Sequence, residues 1–524
     1  MWLNHGFFCI APPLFLYSKS MPGLRHQRFT LALVSSYGSM LCVIAYSFLL
    51  VPLSLAHLPL GILGLWFLSV QVARYVELID LGISGASLRL LAQSHGSPLD
   101  YRRMVTCSFG LQLAQGSLIA GAGFFGSDLL AQLLVTDPSL RPILSKFIFW
   151  IFVLNGVRFS LRIFPNLIRL NQSQHLLNLL STLGVGFNLG LLAFGFFQGW
   201  GFHAFLAGFT AEWGAQSIGP ILIVLFHRNL TYRLQFSSPT WTQWHSLTGL
   251  GFSIFQINSF RFILESAPLV LAGRFFGPDA SAIWSIATRA GSCIRDLLSQ
   301  INISAAPAFY DLMARGERAK LSAAFTRLST ISLSLGLLLF FAYGLWNASF
   351  VALWTHAKCQ LPPHLSLLLA VILWIQIWNA WSIDASISLI KTKVLSTVFL
   401  MEFLFFAVAV LAFRPLGLSG IACASLLAAF LGSFPKGVRL FRELWSSSYL
   451  GRSPLPFAIL GFVALILVVA LTSVALHSLT LDIRGFAIGV FATGTVLLTL
   501  WVIWLKPSWL KDIISGRFRL PTSS

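Results

Sequence analysis

The stretch LPLGILGLWFLSVQVARYVELIDLGISGASLRLLAQ, residues 58–93, decides the class of this chain. From Leu60 to Val72 it is apolar except for Ser69 and Gln71; charges then enter at Arg74, Glu77, Asp80 and Arg89. At 1.5 Å per residue, about twenty residues of helix cross the roughly 30 Å hydrocarbon core of a bilayer, and the run 61–83 has that length. Similar runs recur on both sides of it, near 30–55, 105–126, 143–163, 178–198, 201–226, 249–273, 281–309, 326–346, 364–389, 394–413, 416–436, 456–478 and 485–505. With 61–83 they make about fourteen spans. Only 10% of the residues are charged, against roughly 25% in a soluble protein. A backbone in lipid must satisfy its own hydrogen bonds, so the spans are helices. The expected fold is an all-α polytopic membrane protein.

The net charge of +19 could suggest nucleic acid, but its distribution argues otherwise. With a cytoplasmic N-terminus, segments on that side hold 25 of the Lys and Arg residues, including Arg102, Arg103, Arg158, Arg162, Arg169, Arg315, Arg318 and Lys320; the opposite side holds 6. This is the positive-inside bias, sustained over all fourteen spans. It places the chain in the inner (cytoplasmic) membrane with both termini cytoplasmic, and no nucleic-acid partner is expected. The six cysteines form no CxxC pair, so neither disulfide nor metal site is expected. Residues 1–17 lack the basic region and cleavage site of a signal peptide, and Met21 opens a more ordinary start.

No segment between spans is long enough for a soluble domain. A faint repeat relates LAQSHGSPLDYRRM (91–104) to YDLMARGERAKL (310–321), and LIRLNQSQ (167–174) to LIKTKVLS (389–396), at an offset of about 219 residues. Six helices separate the copies, which implies parallel halves. The expected organisation is a cytoplasmic segment 1–28, a first six-helix lobe 29–236, a second 237–445, and two further spans with a tail in 446–524.

No phosphate-binding, zinc-protease or nucleophile-elbow motif occurs, so neither an enzyme nor a bound cofactor is expected. The informative residues are charges at membrane depth, which are costly and usually face a cavity or a partner. In the eighth span Ser285, Arg289, Ser292, Asp296, Ser299 and Gln300 share an arc of roughly 100°, with Arg295 to one side. The alternative to a wet face is a packing stripe closed by its own ion pairs. The seventh span carries Asn258, Arg261 and Glu265 on one face, and Arg261 and Glu265 can pair within the helix. The second carries Gln71, Arg74 and Glu77; Arg74 could instead snorkel to the cytoplasm. Glu212, Asp384 and Glu402 stand alone in apolar runs, as proton or cation relays or as solvated helix ends.

Residues 58–93 resemble the second-helix signature of polysaccharide and oligosaccharide-lipid flippases: Gly61, Gly64-Leu65-Trp66, the turn Asp80-Leu81-Gly82, then Arg89. Residues 280–321 are similar to the eighth-helix region of the same proteins, with Arg289, Pro307 and the basic stretch Arg315 to Lys320 in matching places; Trp284 stands where a Tyr is commoner. These flippases belong to a superfamily that also contains multidrug exporters. The resemblance implies movement of a polyprenyl-diphosphate-linked glycan to the outer leaflet by alternating access. Arg74, Arg261, Arg289 and Arg295, with Asn258 and Gln300, would bind substrate, because forked Arg donors suit phosphate. Glu77, Glu265, Asp296, Glu212 and Glu402 would pair with them or carry coupling ions. The implied partners are the lipid-linked glycan, membrane lipids and glycan-assembly enzymes. The competing readings are a cation-coupled multidrug exporter, a membrane glycosyltransferase or polymerase, and a non-transporting scaffold.

Overall fold

The computed structural model describes residues 22–94, 97–171, 173–226, 233–314, 316–388 and 392–444, together with residues 490, 491 and 495. Among these residues there is no strand. The helices are α1 (Pro22–His57), α2 (Leu60–Tyr75), α3 (Ile83–Gln93), α4 (Pro98–Leu134), α5 (Arg141–Ser160), α6 (Ile163–Leu170), α7 (Gln174–Phe197), α8 (His203–Phe226), α9 (Trp241–Phe276), α10 (Pro278–Ala314), α11 (Arg318–Trp354), α12 (Pro363–Ser388), α13 (Thr392–Phe413), α14 (Gly417–Leu431) and α15 (Ser433–Leu444). Twelve of the expected spans are occupied by α1, α2, α4, α5 and α7 to α14. The span expected at 456–478 lies outside the described residues, and only residues 490, 491 and 495 of the last are described.

Local chemistry marks the helix ends. Ser97 caps α4 by accepting from the Asp100 amide at 3.4 Å, with Pro98 in the first turn. Thr240 and Gln243 close a capping box at the start of α9. Among the described residues nine helical stretches are long and apolar enough to cross a membrane, the last running through α13, α14 and part of α15. Large apolar side chains such as Phe125 (86% exposed), Phe197 (77%) and Val408 (71%) point outward. In water such a surface would aggregate; against lipid tails it is the expected exterior.

The chain divides into two compact units, Met1–Ala282 and Ile283–Ser524, the border falling in the second turn of α10. In the first, Trp66 of α2 is buried, stacked on Phe205 of α8 at 4.9 Å and edge-on to Phe147 of α5 at 5.4 Å. Its neighbour Gly64 is required by packing, because a Cβ there would collide with the carbonyl of Pro278, and Ser281 Oγ donates to the Gly64 carbonyl at 3.1 Å. The Gly-Leu-Trp motif is therefore a helix crossing followed by a core anchor. In the second unit Trp381 of α12 is 1% exposed and meets Phe325 of α11 edge-on at 5.5 Å, while Trp374 and Trp378 stack at 6.0 Å.

Candidate functional site

In the first unit the second span does not continue as one helix. After α2 it tightens into a 3-10 segment, Val76–Asp80, and breaks at Leu81 and Gly82, whose φ angles are 47° and 73°. Gly adopts this left-handed region freely; Leu does so at a cost. The Asp-Leu-Gly motif is this joint. Asp80 is 1% exposed and forms an ion pair with Arg162 at 2.9 Å. Ser84, the second residue of α3, donates from its hydroxyl and its amide to the same carboxylate. Gln115 of α4 donates to the carbonyls of Ile79 and Asp80 at 2.6 and 3.0 Å, and the Arg162 guanidinium lies 3.5 Å from the Phe159 ring centroid. Arg162, read from the sequence as one of the cytoplasmic topology charges, is thus a structural partner. An ion pair across 82 positions leaves no periodic trace.

Arg74 is half-buried on α2, its guanidinium 5.4 Å from the Phe262 ring of α9, and Tyr75 meets the same ring edge-on at 6.1 Å. The first unit therefore places Arg74 beside the stretch of α9 that carries Arg261 and Glu265. Glu265 is half-buried. The side chains of Glu77, Asn258 and Arg261 lie outside the described residues.

Glu212 of α8 is 6% exposed. Asn188 of α7 donates to one of its oxygens at 2.7 Å and Gln216 to the other at 3.0 Å. A carboxylate buried at membrane depth and held by two neutral amides is not a solvated helix end. Its partners were missed in the sequence because Asn188 and Gln216 sit singly in apolar helices.

In the second unit the polar face of α10 is described directly. Arg289 lies within 3.4 Å of Ser285 Oγ. Arg295 pairs with Asp296 at 3.3 Å and reaches Gln376 of α12 at the same distance. Ser292, Ser299 and Gln300 are half-buried. Tyr343 and Asn347 of α11 both donate to the Ala287 carbonyl, at 2.7 and 3.0 Å, which fixes the opposite face of α10 against α11. Gln376 had no signal in the sequence. Pro307 falls within α10 and Asp384 within α12, their side chains outside the described residues. Glu402 of α13 is 9% exposed, and a Cβ on Gly432, just past α14, would overlap its backbone and Cβ. Among the described residues no group of His, Cys, Asp and Glu is placed to hold a metal ion.

No family model and no curated protein matches the sequence. Solved structures do match. One, described as the inward-facing conformation of a multidrug resistance MATE family transporter of the MOP superfamily, is 16% identical, with 78% of this chain and 95% of that one covered and a TM-score of 0.63. A second, described as the outward-facing conformation of such a transporter, is 15% identical over 82% and 99%, with a TM-score of 0.57. A third, a MOP superfamily transporter from Pyrococcus furiosus described as having a binding pocket of reverse polarity, is 16% identical over 79% and 94%, with a TM-score of 0.55. These structures share the expected architecture without singling out flippases. The chain is an all-α, multi-pass membrane protein with the fold of the MATE transporters of the MOP superfamily.

Proposed function

We propose that this chain is a membrane transporter, exporting an amphipathic substrate by alternating access. The observation that carries this is the shared fold, which covers about four fifths of the chain and nearly the whole of each solved transporter. Two of those neighbours are described as multidrug resistance transporters, and drug export is the reading they favour. In this reading Glu212 and Glu402, buried carboxylates in spans of the two units, are the coupling groups, exchanging a proton or cation for substrate.

A second reading, export of a polyprenyl-diphosphate-linked glycan, rests on the arginines. Arg74 is cationic at the level of Phe262, and Arg289 and Arg295 stand on the polar face of α10 beside Ser285 and Gln376. Arg binds phosphate through paired donors, so each of these residues favours an anionic group over a cationic drug. The Pyrococcus neighbour, described as having a pocket of reverse polarity that suggests a different function, supports more than one charge type on this fold. An inner-membrane location with both termini cytoplasmic belongs to either reading.

One experiment separates them. The chain is expressed in cells lacking their own drug exporters and, in parallel, in cells lacking a lipid-linked glycan flippase. Dye efflux lost in Glu212→Gln supports the first reading. Restored surface glycan, lost in Arg74→Ala and Arg289→Ala at equal expression, supports the second. Purified protein that melts cooperatively yet moves neither class in reconstituted vesicles would count against a transporter.

A further inference from the structure

The segment from Asp80 through α3 presents Asp80, Ser84, Ser87 and Leu91 on one face, at spacings of four, three and four residues. Along α4, Met104, Ser108, Gln112 and Gln115 form a second stripe of the same length. The two stripes run antiparallel and are pinned at both ends. Gln115 donates to the carbonyls of Ile79 and Asp80, and Leu91 shares a buried apolar cluster with Met104 and Val105. With the ends so paired, the Ser84–Ser87 stretch of α3 runs alongside the Ser108–Gln112 stretch of α4. The α5–α6 junction closes the third side: Arg162 donates to Asp80 and to Ser84 Oγ, at 2.9 and 3.2 Å, while Ile163, Phe164 and Leu167 join the cluster.

This seam is polar inside and shut off from the surroundings. Ser87, Ser108 and Gln112 are each 0% exposed, and Gln115 is 8% exposed. Ser87 Oγ, Ser108 Oγ, both amide atoms of Gln112 and Gln115 Oε1 are buried without a hydrogen-bond partner among the described residues. Five polar atoms left dry would forfeit stabilisation comparable to the whole margin by which a domain stays folded. A dry seam is therefore not a tenable ground state.

We propose that the seam is a binding site for water, a small ordered cluster bridging α3 and α4. The chemistry selects water over an ion. Asp80 and Arg162 neutralise one another, so no net charge recruits a counter-ion. The unsatisfied groups comprise donors and acceptors together: an amide NH2, two amide oxygens and two hydroxyls. Water is the small molecule that does both. A buried water makes about three hydrogen bonds, so roughly two molecules would satisfy the five atoms and engage Ser84 as well.

X-ray radiolytic labelling of the full chain in nanodiscs tests this, because hydroxyl radicals born from bound water oxidise the side chains beside it. Met104 and Cys107 are the reporters, being 5% and 0% exposed and so shielded from bulk radicals. After correction for intrinsic reactivity they should label several-fold faster than Cys359 and Phe147, which are 1% and 0% exposed at other sites. Gln112→Leu should lower the reporter rate. Reporter rates equal to those of the two reference residues would overturn the proposal, and this comparison needs only the unmodified chain. A second measurement is the melting temperature of Ser87→Ala/Ser108→Ala. A dry seam predicts a rise on deleting two orphaned hydroxyls, and such a rise would also overturn it; an unchanged or lower value is expected.

Discussion

Replacing Asp80 by Ala should be among the most damaging single substitutions in the first unit. The carboxylate is 1% exposed, and its partner Arg162 retains 18% side-chain exposure. Removing the acid strands a guanidinium that water reaches only in part, and removes the acceptor of both Ser84 donors. Breaking one half of a buried pair costs about 3–5 kcal/mol. Native domains are stable by only about 5–15 kcal/mol. For a unit of this size, each kcal/mol moves the melting temperature by roughly 2 °C, so a loss of about 6–10 °C is expected. Arg162→Ala should cost somewhat less, because a small carboxylate recovers hydrogen bonds from Ser84. The double variant should lose clearly less than the sum of the two single losses, since it leaves no buried charge behind. The assay is thermal unfolding of purified protein in one detergent, followed by tryptophan fluorescence. Single losses below about 2 °C, or strict additivity in the double variant, would show that the pair is solvated and refute the reasoning.

Other outcomes follow from the same structure. Gly64→Ala should abolish correctly folded protein, judged by size-exclusion of a fluorescent fusion, because its new methyl would strike backbone at the Pro278 carbonyl; Gly121→Ala, where a Cβ meets nothing within 4 Å, should behave as wild type. Glu212→Gln should melt within about 1 kcal/mol of wild type, because the Asn188 amide can turn to match the new group, whereas Glu212→Leu orphans both amides and should cost about 2–4 kcal/mol. Burial pushes the Cys359 thiol, in the segment after α11, up to about 12. The thiolate is the reactive form, so Cys359 should resist maleimide at pH 8 in folded protein and label fully in denaturant. Rapid labelling in the folded state would contradict its burial.

The apolar runs made the long helices legible, because membrane thickness imposes one length on all of them. The short helices were not: α3, α6 and α15 are amphipathic segments of 11, 8 and 12 residues, too short to register as spans. Periodicity also picked out α10, whose polar face the structure describes with Arg289 on Ser285 and Arg295 on Asp296. What periodicity could not supply was the partner on another helix. Gln376 for Arg295, Asn188 for Glu212 and Arg162 for Asp80 are each fixed by packing between elements distant in sequence. Arg162 shows the cost of a statistical rule most clearly. Summed over the chain, basic residues report topology, yet a particular one can serve as the buried counter-charge of a joint.

The tightened stretch between α2 and Leu81 has a consequence for phase. An α-helix turns 100° per residue and a 3-10 helix about 120°, so five residues of the latter advance the chain by roughly 100° more than the wheel drawn through Leu60–Tyr75 anticipates. They also advance it about 2.5 Å further along the axis, since each rises 2.0 rather than 1.5 Å. The face that carries Gln71 and Arg74 therefore ends at Tyr75 and does not extend to Asp80. Arg74 keeps the azimuth of α2 and meets Phe262, while Asp80 is carried a quarter turn on, to Arg162. One span thus serves two neighbourhoods, and a single residue inserted within Val76–Asp80 would rotate the carboxylate away from its guanidinium without touching either side chain.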